Sequence, residues 1–142
     1  MLKPMPKFLT PTASPAAVLP ILRWSIAIFM LVWSIDKLIM PEDFIGLFQH
    51  FYGASFGVTT ILAIGAVQTA LILAFALGLY RTITYGLMLL MNAITVVVSL
   101  PQILDPYGGG SNQLFFASVP VLAACLVLFL LREQDTKLVL KR

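Results

Sequence analysis

Four apolar runs of membrane-crossing length, with nearly every cation gathered at one set of their ends, leave this chain few folds to choose from. The runs cover approximately 20–40, 58–80, 82–101 and 113–132. Each is close to the ~20 residues that a helix needs to cross ~30 Å of hydrocarbon. Eight of the nine Lys and Arg residues (Lys3, Lys7, Arg23, Arg81, Arg132, Lys137, Lys141 and Arg142) lie in or beside the N-terminal tail, the turn between the second and third runs, and the C-terminal tail. Only Lys37 falls on the opposite side. Cytoplasmic segments carry the Lys and Arg excess, so the pattern predicts a multi-pass protein of the bacterial inner membrane with both termini in the cytoplasm.

Composition agrees. Hydrophobic residues make up 60% of the 142 and charged residues 11%, too little charge to cover a soluble domain of this size. The expected organisation is an extended cytoplasmic arm over 1–17, a transmembrane domain over 18–132 and a soluble cytoplasmic tail over 133–142. The N-terminal segment does not read as a cleaved signal, because its apolar run is too long and carries Arg23. The net charge of +3 is spread over two tails and one turn, which suits an anionic leaflet rather than nucleic acid. The lone Cys125 can form neither an internal disulfide nor a CxxC redox pair and reads as a packing residue.

The fold class is therefore an all-α integral membrane bundle of four helices running up-down-up-down. A short amphipathic helix between helices 1 and 2 is expected at the periplasmic face. Phe44, Leu47, Phe48, Phe51 and Tyr52 fall at i, i+3, i+4, i+7 and i+8. Pro41, Glu42 and Asp43 suit the start of that helix and Gly53 its stop. In helix 1, expected to begin near Pro20, Arg23, Met30, Ser34 and Lys37 share one side, which should face the bundle interior. In helix 2, Ala66, Ala70, Ala74 and Gly78 form a small-residue ridge that lets another helix approach closely. Gln68 points about 200° away from Ala66. Helix 3 carries a polar seam of Tyr85, Met88, Asn92, Thr95, Ser99 and Gln102. Asn92 and Gln68 are expected at similar depth, facing one interior. Pro120 should bend helix 4.

Chemistry is less legible. The sequence offers no phosphate loop, nucleophilic triad or zinc-ligand spacing, so no catalytic or metal-ligating residues are singled out. A single histidine, His50, argues against a transmembrane b-type haem. The acids Asp36, Glu42, Asp43 and Asp105 with His50 fit a solvated, helix-capping rim; metal binding or proton relay is the alternative. The intramembrane polar set of Arg23, Ser34, Gln68, Asn92, Thr95 and Ser99 fits interhelical hydrogen bonding, at around 0.6 kcal/mol each. It also fits contacts to an amphipathic ligand such as a quinone. Arg23 has a further reading, snorkelling to the cytoplasmic interface.

The stretch Leu22-Arg23-Trp24 through Trp33-Ser34-Ile35-Asp36-Lys37-Leu38-Ile39-Met40-Pro41-Glu42 resembles the first helix of the DoxX/DoxD-like membrane proteins. Their Arg, Lys and Pro map onto Arg23, Lys37 and Pro41, and the resemblance extends over about 20–132. It implies a four-helix membrane fold and an accessory or quinone-interacting subunit of a bacterial redox system. On that reading Arg23, Gln68 and Asn92 would meet a headgroup, with Ser34 lining the same pocket, and Trp33, Phe48 and Phe51 would form its walls. Asp36, Lys37 and His50 would lead protons outward. The alternatives are a ligand-free membrane anchor or oligomerisation module packing through Ala66, Ala70, Ala74 and Gly78, or a small transporter subunit. The expected partners are the lipid bilayer and either further copies of the chain or a larger membrane complex.

Overall fold

The computed structural model describes residue 4 and residues 13–140. Most of the arm expected over 1–17 lies outside the described residues, as do Lys3, Lys7, Lys141 and Arg142. Regular structure among the described residues is helical throughout: α1 (Pro15–Ile39), α2 (Asp43–Tyr52), α3 (Val58–Ala76), α4 (Arg81–Val98), α5 (Leu100–Leu104) and α6 (Ser118–Leu130). Short 3-10 turns occupy Gly108–Gly110, Gln113–Ala117 and Arg132–Gln134. Four segments are long and apolar enough to cross a membrane: Pro15–Ile39, Val58–Ala76, Arg81–Val98 and Gln113–Leu130.

Local chemistry sets the element ends. Helix α1 starts at Pro15 rather than near Pro20, because Ser14 is extended and Pro15 takes the first-turn position where a missing N–H costs nothing. Pro20 is then inside the helix and buried. Gly53 stops α2 in the left-handed region (φ 63°), its N–H bonding the Gln49 carbonyl at 3.1 Å. The end of α3 is a Schellman motif: Leu79 N–H bonds Ala74 O and Gly78 N–H bonds Phe75 O, both at 3.0 Å, around Gly78 at φ +69°. Tyr80 (φ 45°) completes the reversal into α4. The fourth crossing divides at its proline. Pro120 is the third residue of α6. It has no N–H for the Phe116 carbonyl and crowds it, and the backbone just before α6 is 3-10 rather than α.

Helix α1 packs chiefly on α3, and α4 on α6; α3 with α4 and α1 with α6 close the bundle. One buried cluster ties these faces together: Leu19, Ile26 and Ala27 of α1, Ile72, Phe75 and Ala76 of α3, Tyr85 and Met88 of α4, Cys125 and Leu128 of α6. The α4 polar seam points mostly inward, with Tyr85, Met88, Asn92 and Ser99 buried and Thr95 exposed. At the far end of α1 the two backbones come close beside Gly65. A Cβ there would sit 2.9 Å from Lys37 Cβ and 3.2 Å from Ser34 O. Thr69 Oγ1 lies 3.0 Å from Ser34 Oγ across the same interface. Helix α2 folds over this end. Lys37 Nζ stands 4.7 Å above the buried Phe44 ring, and Phe51 meets Phe115 of the fourth crossing at 5.7 Å between centroids.

The close approach at Gly65 gives a direct test. Gly65→Leu should destabilise the bundle by about 1–3 kcal/mol through overpacking against Ser34 and Lys37. Gly46→Ala, in α2 with no atom within 4 Å of the added Cβ, should be neutral or stabilise by up to about 1 kcal/mol. Unfolding in mixed micelles, followed by circular dichroism, separates the two.

Candidate functional site

The densest polar arrangement lies where α1 and α4 begin and α3 and α6 end. Arg23 sits two turns into α1 and is completely buried, as is Asp135 of the C-terminal segment. Arg23 Nη1 forms an ion pair with Asp135 Oδ1. The other carboxylate oxygen accepts a hydrogen bond from Tyr85 Oη. The remaining guanidinium donors reach backbone: Nε donates to Ala76 O at 3.0 Å, and Nη2 to Lys137 O and Leu138 O at 2.9 and 2.8 Å. The Ala76 carbonyl is available because the last carbonyls of a helix have no intrahelical partner.

The segment 132–140 is therefore folded against the bundle, through contacts that the sequence reading of a soluble tail does not anticipate. Arg81 Nη1 donates to Arg132 O and Asp135 O, both at 2.9 Å. Arg132 Nε reaches Thr82 Oγ1 at 3.2 Å. Further on, Leu140 N–H bonds Leu77 O at 2.9 Å. Val139 covers Gly78 so closely that a Cβ there would collide with it. Gly78, which the sequence places on a helix-packing ridge, thus serves this segment. The reason is electrostatic. A buried guanidinium needs a counter-ion and a full set of acceptors, and the chain after α6 supplies both. The 3.9 Å pair of Arg132 with the exposed Glu133 adds little by comparison.

Comparison with protein-family models, with curated proteins and with solved structures finds no match.

The other residues singled out by sequence are scattered. Ser34 is buried against Thr69 between α1 and α3. Asn92 is buried on the α6 side, donating to Met88 O at 2.9 Å and Cys125 Sγ at 3.5 Å. Gln68 is half-buried on α3, and no hydrogen bond joins it to Asn92 among the described residues. Trp33 is half-exposed on the outside of α1. Asp36 lines an open outward groove with Ile28, Leu31, Val32, Ile35 and Ile39. At the α2 end, Phe48 meets Tyr52 at a tilt and Phe56 edge-on, and His50 lies edge-on to Phe51 and exposed. Burial pushes the Tyr52 phenol above its usual range, against an opposing contact with Thr95. Ala66 and Ala70 face outward, while Ala74 is half-buried. Arg23, Gln68 and Asn92 thus occupy three environments rather than one pocket.

Sequence reasoning missed Asp135, the Tyr85 hydroxyl and the tail carbonyls. One signal could have found the counter-ion. Of six acids, only Glu133 and Asp135 share an end of the chain's hydropathy pattern with Arg23. Chemically, the arrangement is a two-point clamp on a carboxylate, a guanidinium on one oxygen and a phenol on the other.

Breaking one side of this pair should cost much more than replacing both. Asp135→Ala should destabilise by about 3–5 kcal/mol, because Arg23 is left buried without a counter-ion. The Arg23→Leu/Asp135→Leu double variant should recover most of that loss. Tyr85→Phe should cost about 1.5–3 kcal/mol for one charge-assisted hydrogen bond. A double-mutant cycle on micellar unfolding reads all three.

Proposed function

We propose that the chain is a DoxX-like accessory subunit of a bacterial inner-membrane redox system, working as a packed scaffold on which a partner assembles. Its four crossings alternate up and down, with both termini in the cytoplasm and α2 on the periplasmic surface. The cation bias across the apolar runs supports that orientation. One observation carries the scaffold reading. The three positions that match the family pattern are all used in closing the bundle's ends: Arg23 holds the tail, Lys37 caps the buried Phe44 ring, and Pro41 is buried at the entry to α2. Between them, the polar side chains Ser34 and Asn92 are satisfied by neighbours inside the bundle.

A scaffold needs an outer face for its partner. Ala66 and Ala70 offer one on α3, where small side chains let a second helix come close. A quinone-interacting role draws on a different feature, the open groove of about 590 Å³ along α1 with Asp36 as its one charged lining residue. That groove is apolar over most of its length, as an isoprenoid tail requires.

Native mass spectrometry of the complex released from membranes distinguishes the two. The scaffold reading expects a defined assembly that Ala70→Leu dissociates while circular dichroism stays unchanged. An assembly of unaltered mass in Ala70→Leu rejects it. Co-released quinone that is lost in Asp36→Leu would favour the groove instead.

A further inference from the structure

We infer that Arg23 and Tyr85 form an anion site in which Asp135 is a tethered occupant, and that the 132–140 segment is a latch that a carboxylate or phosphate group from outside the chain displaces. The inference is independent of the scaffold reading and rests on the contacts at the tail end.

The first observation is how the segment is held. Glu133, Gln134, Thr136, Lys137, Leu138 and Leu140 are all exposed, and Val139 is only half-buried. Apart from Val139 over Gly78 and Arg132 over the Phe129 ring, its attachments are polar: the ion pair, the Tyr85 hydroxyl, the Arg81 and Arg23 bonds to carbonyls, the Arg132 bonds to Thr82 and Phe129, and one backbone bond to Leu77. Segments with few buried apolar contacts sit at the low end of local stability. The second observation is strain. Leu138 has φ +54°, in the left-handed region that side chains other than Gly, Asn and Asp rarely adopt. Its carbonyl is one of those held by Arg23 Nη2, so the strain lies within the contact that shuts the latch.

The third observation is what the clamp leaves behind. The donors Arg23 and Tyr85 belong to α1 and α4, and the Ala76 acceptor to α3, so all three stay in place when the segment moves. With the segment gone, Arg23 keeps only the Ala76 carbonyl of its four partner groups. A buried guanidinium in that condition demands an anion. Two oxygens of a carboxylate or phosphate can occupy the positions of Asp135 Oδ1 and Oδ2. An open groove of about 400 Å³, lined by Ala17, Pro20, Ile21, Trp24, Lys137 and Leu138, runs along the latch beside α1. Its α1 wall of Ala17, Pro20, Ile21 and Trp24 stays when the latch moves and is apolar, which suits the glycerol and upper acyl region of an anionic lipid whose phosphate would be the incoming group. A free anion of the same chemistry is the other source.

The test uses the full chain in nanodiscs, with nitroxides at Thr136→Cys and Ile83→Cys in a Cys125→Ala background. Pulsed electron paramagnetic resonance measures their separation. In phosphatidylcholine alone the distribution should be narrow and short. Asp135→Asn in the same lipid should move it outward by roughly 10 Å, within reach of the five residues beyond Leu131 at ~3.3 Å each. With Asp135 intact, either phosphatidylglycerol or millimolar inorganic phosphate should produce the same shift, whereas Arg23→Gln, which removes the contacts that close the latch, should read open in phosphatidylcholine alone and not change on adding either anion. A response to phosphatidylglycerol alone assigns the incoming group to a lipid headgroup, and a response to phosphate assigns it to a free anion. A distribution with Asp135 intact that stays closed under both conditions overturns the inference, whether or not Asp135→Asn folds.

Discussion

A guanidinium removed from water is the costliest group in this structure, and the arrangement of one end of the bundle follows from satisfying it. Arg23 is buried in a helix that would otherwise present only apolar and small side chains to its neighbours. Placing it there is tolerable only with a counter-ion and acceptors for its remaining N–H groups. Asp135 supplies the charge, Ala76 a helix-end carbonyl, and Lys137 and Leu138 two more. The same contacts explain why irregular backbone after α6 lies against the bundle at all. Irregular backbone packed on a bundle needs protein groups to take up its polar atoms, and Arg23 and Arg81 do this for four carbonyls between Arg132 and Leu138.

The interior between the two ends is built differently. Its buried polar groups are few, short and bonded to near neighbours, as with Ser34 beside Thr69 and Asn92 on Met88 O. Close packing does the rest, most visibly where Gly65 lets α1 and α3 touch. The opposite end is closed by aromatics: Phe44 under Lys37, Phe48 against Phe56, Phe51 against Phe115. Charge at one end, rings at the other and a satisfied interior leave the ends and the outer faces as the surfaces not used in the bundle's own packing.

Much of this architecture was legible in the residue pattern. Hydrophobic length marked the four apolar helices, the i, i+3, i+4 spacing of aromatics marked α2, and glycine after a helix marked the stop at Gly53; the reversal at Gly78 was hidden because its spacing also fits a small-residue ridge. The inward polar seam of α4 followed from heptad-like spacing. The site was less legible. Periodicity says which face of a helix a residue occupies but not at what depth its neighbours end, so Gln68 and Asn92 could be placed on inner faces without being brought together. The contacts of residues 132–140 were hidden for a related reason. Hydropathy counts Asp135 and Lys137 as soluble, yet one is buried by a charge already inside the bundle and the other contributes its carbonyl. Summing charge at each end of the bundle, rather than along the chain, is the step that exposes the need for Asp135.

The two kinds of cohesion respond to different conditions. Helix packing here comes from apolar contact and a close backbone approach, neither of which ions in solution alter greatly. The tail is held by charge and hydrogen bonds and carries one left-handed leucine, a conformation that costs about 1–3 kcal/mol. That strain is paired with an ion pair whose desolvation already offsets much of its Coulomb attraction. The closed position is therefore the net of opposed terms, each of a few kcal/mol. Moving such an equilibrium from one side to the other takes about 5.5 kcal/mol of differential binding, within the range of a doubly hydrogen-bonded anion on a guanidinium. The bundle can stay assembled through that exchange, because α1 and α4 hold the clamp's two donors, and α3 the Ala76 acceptor, by their own packing and not through the tail.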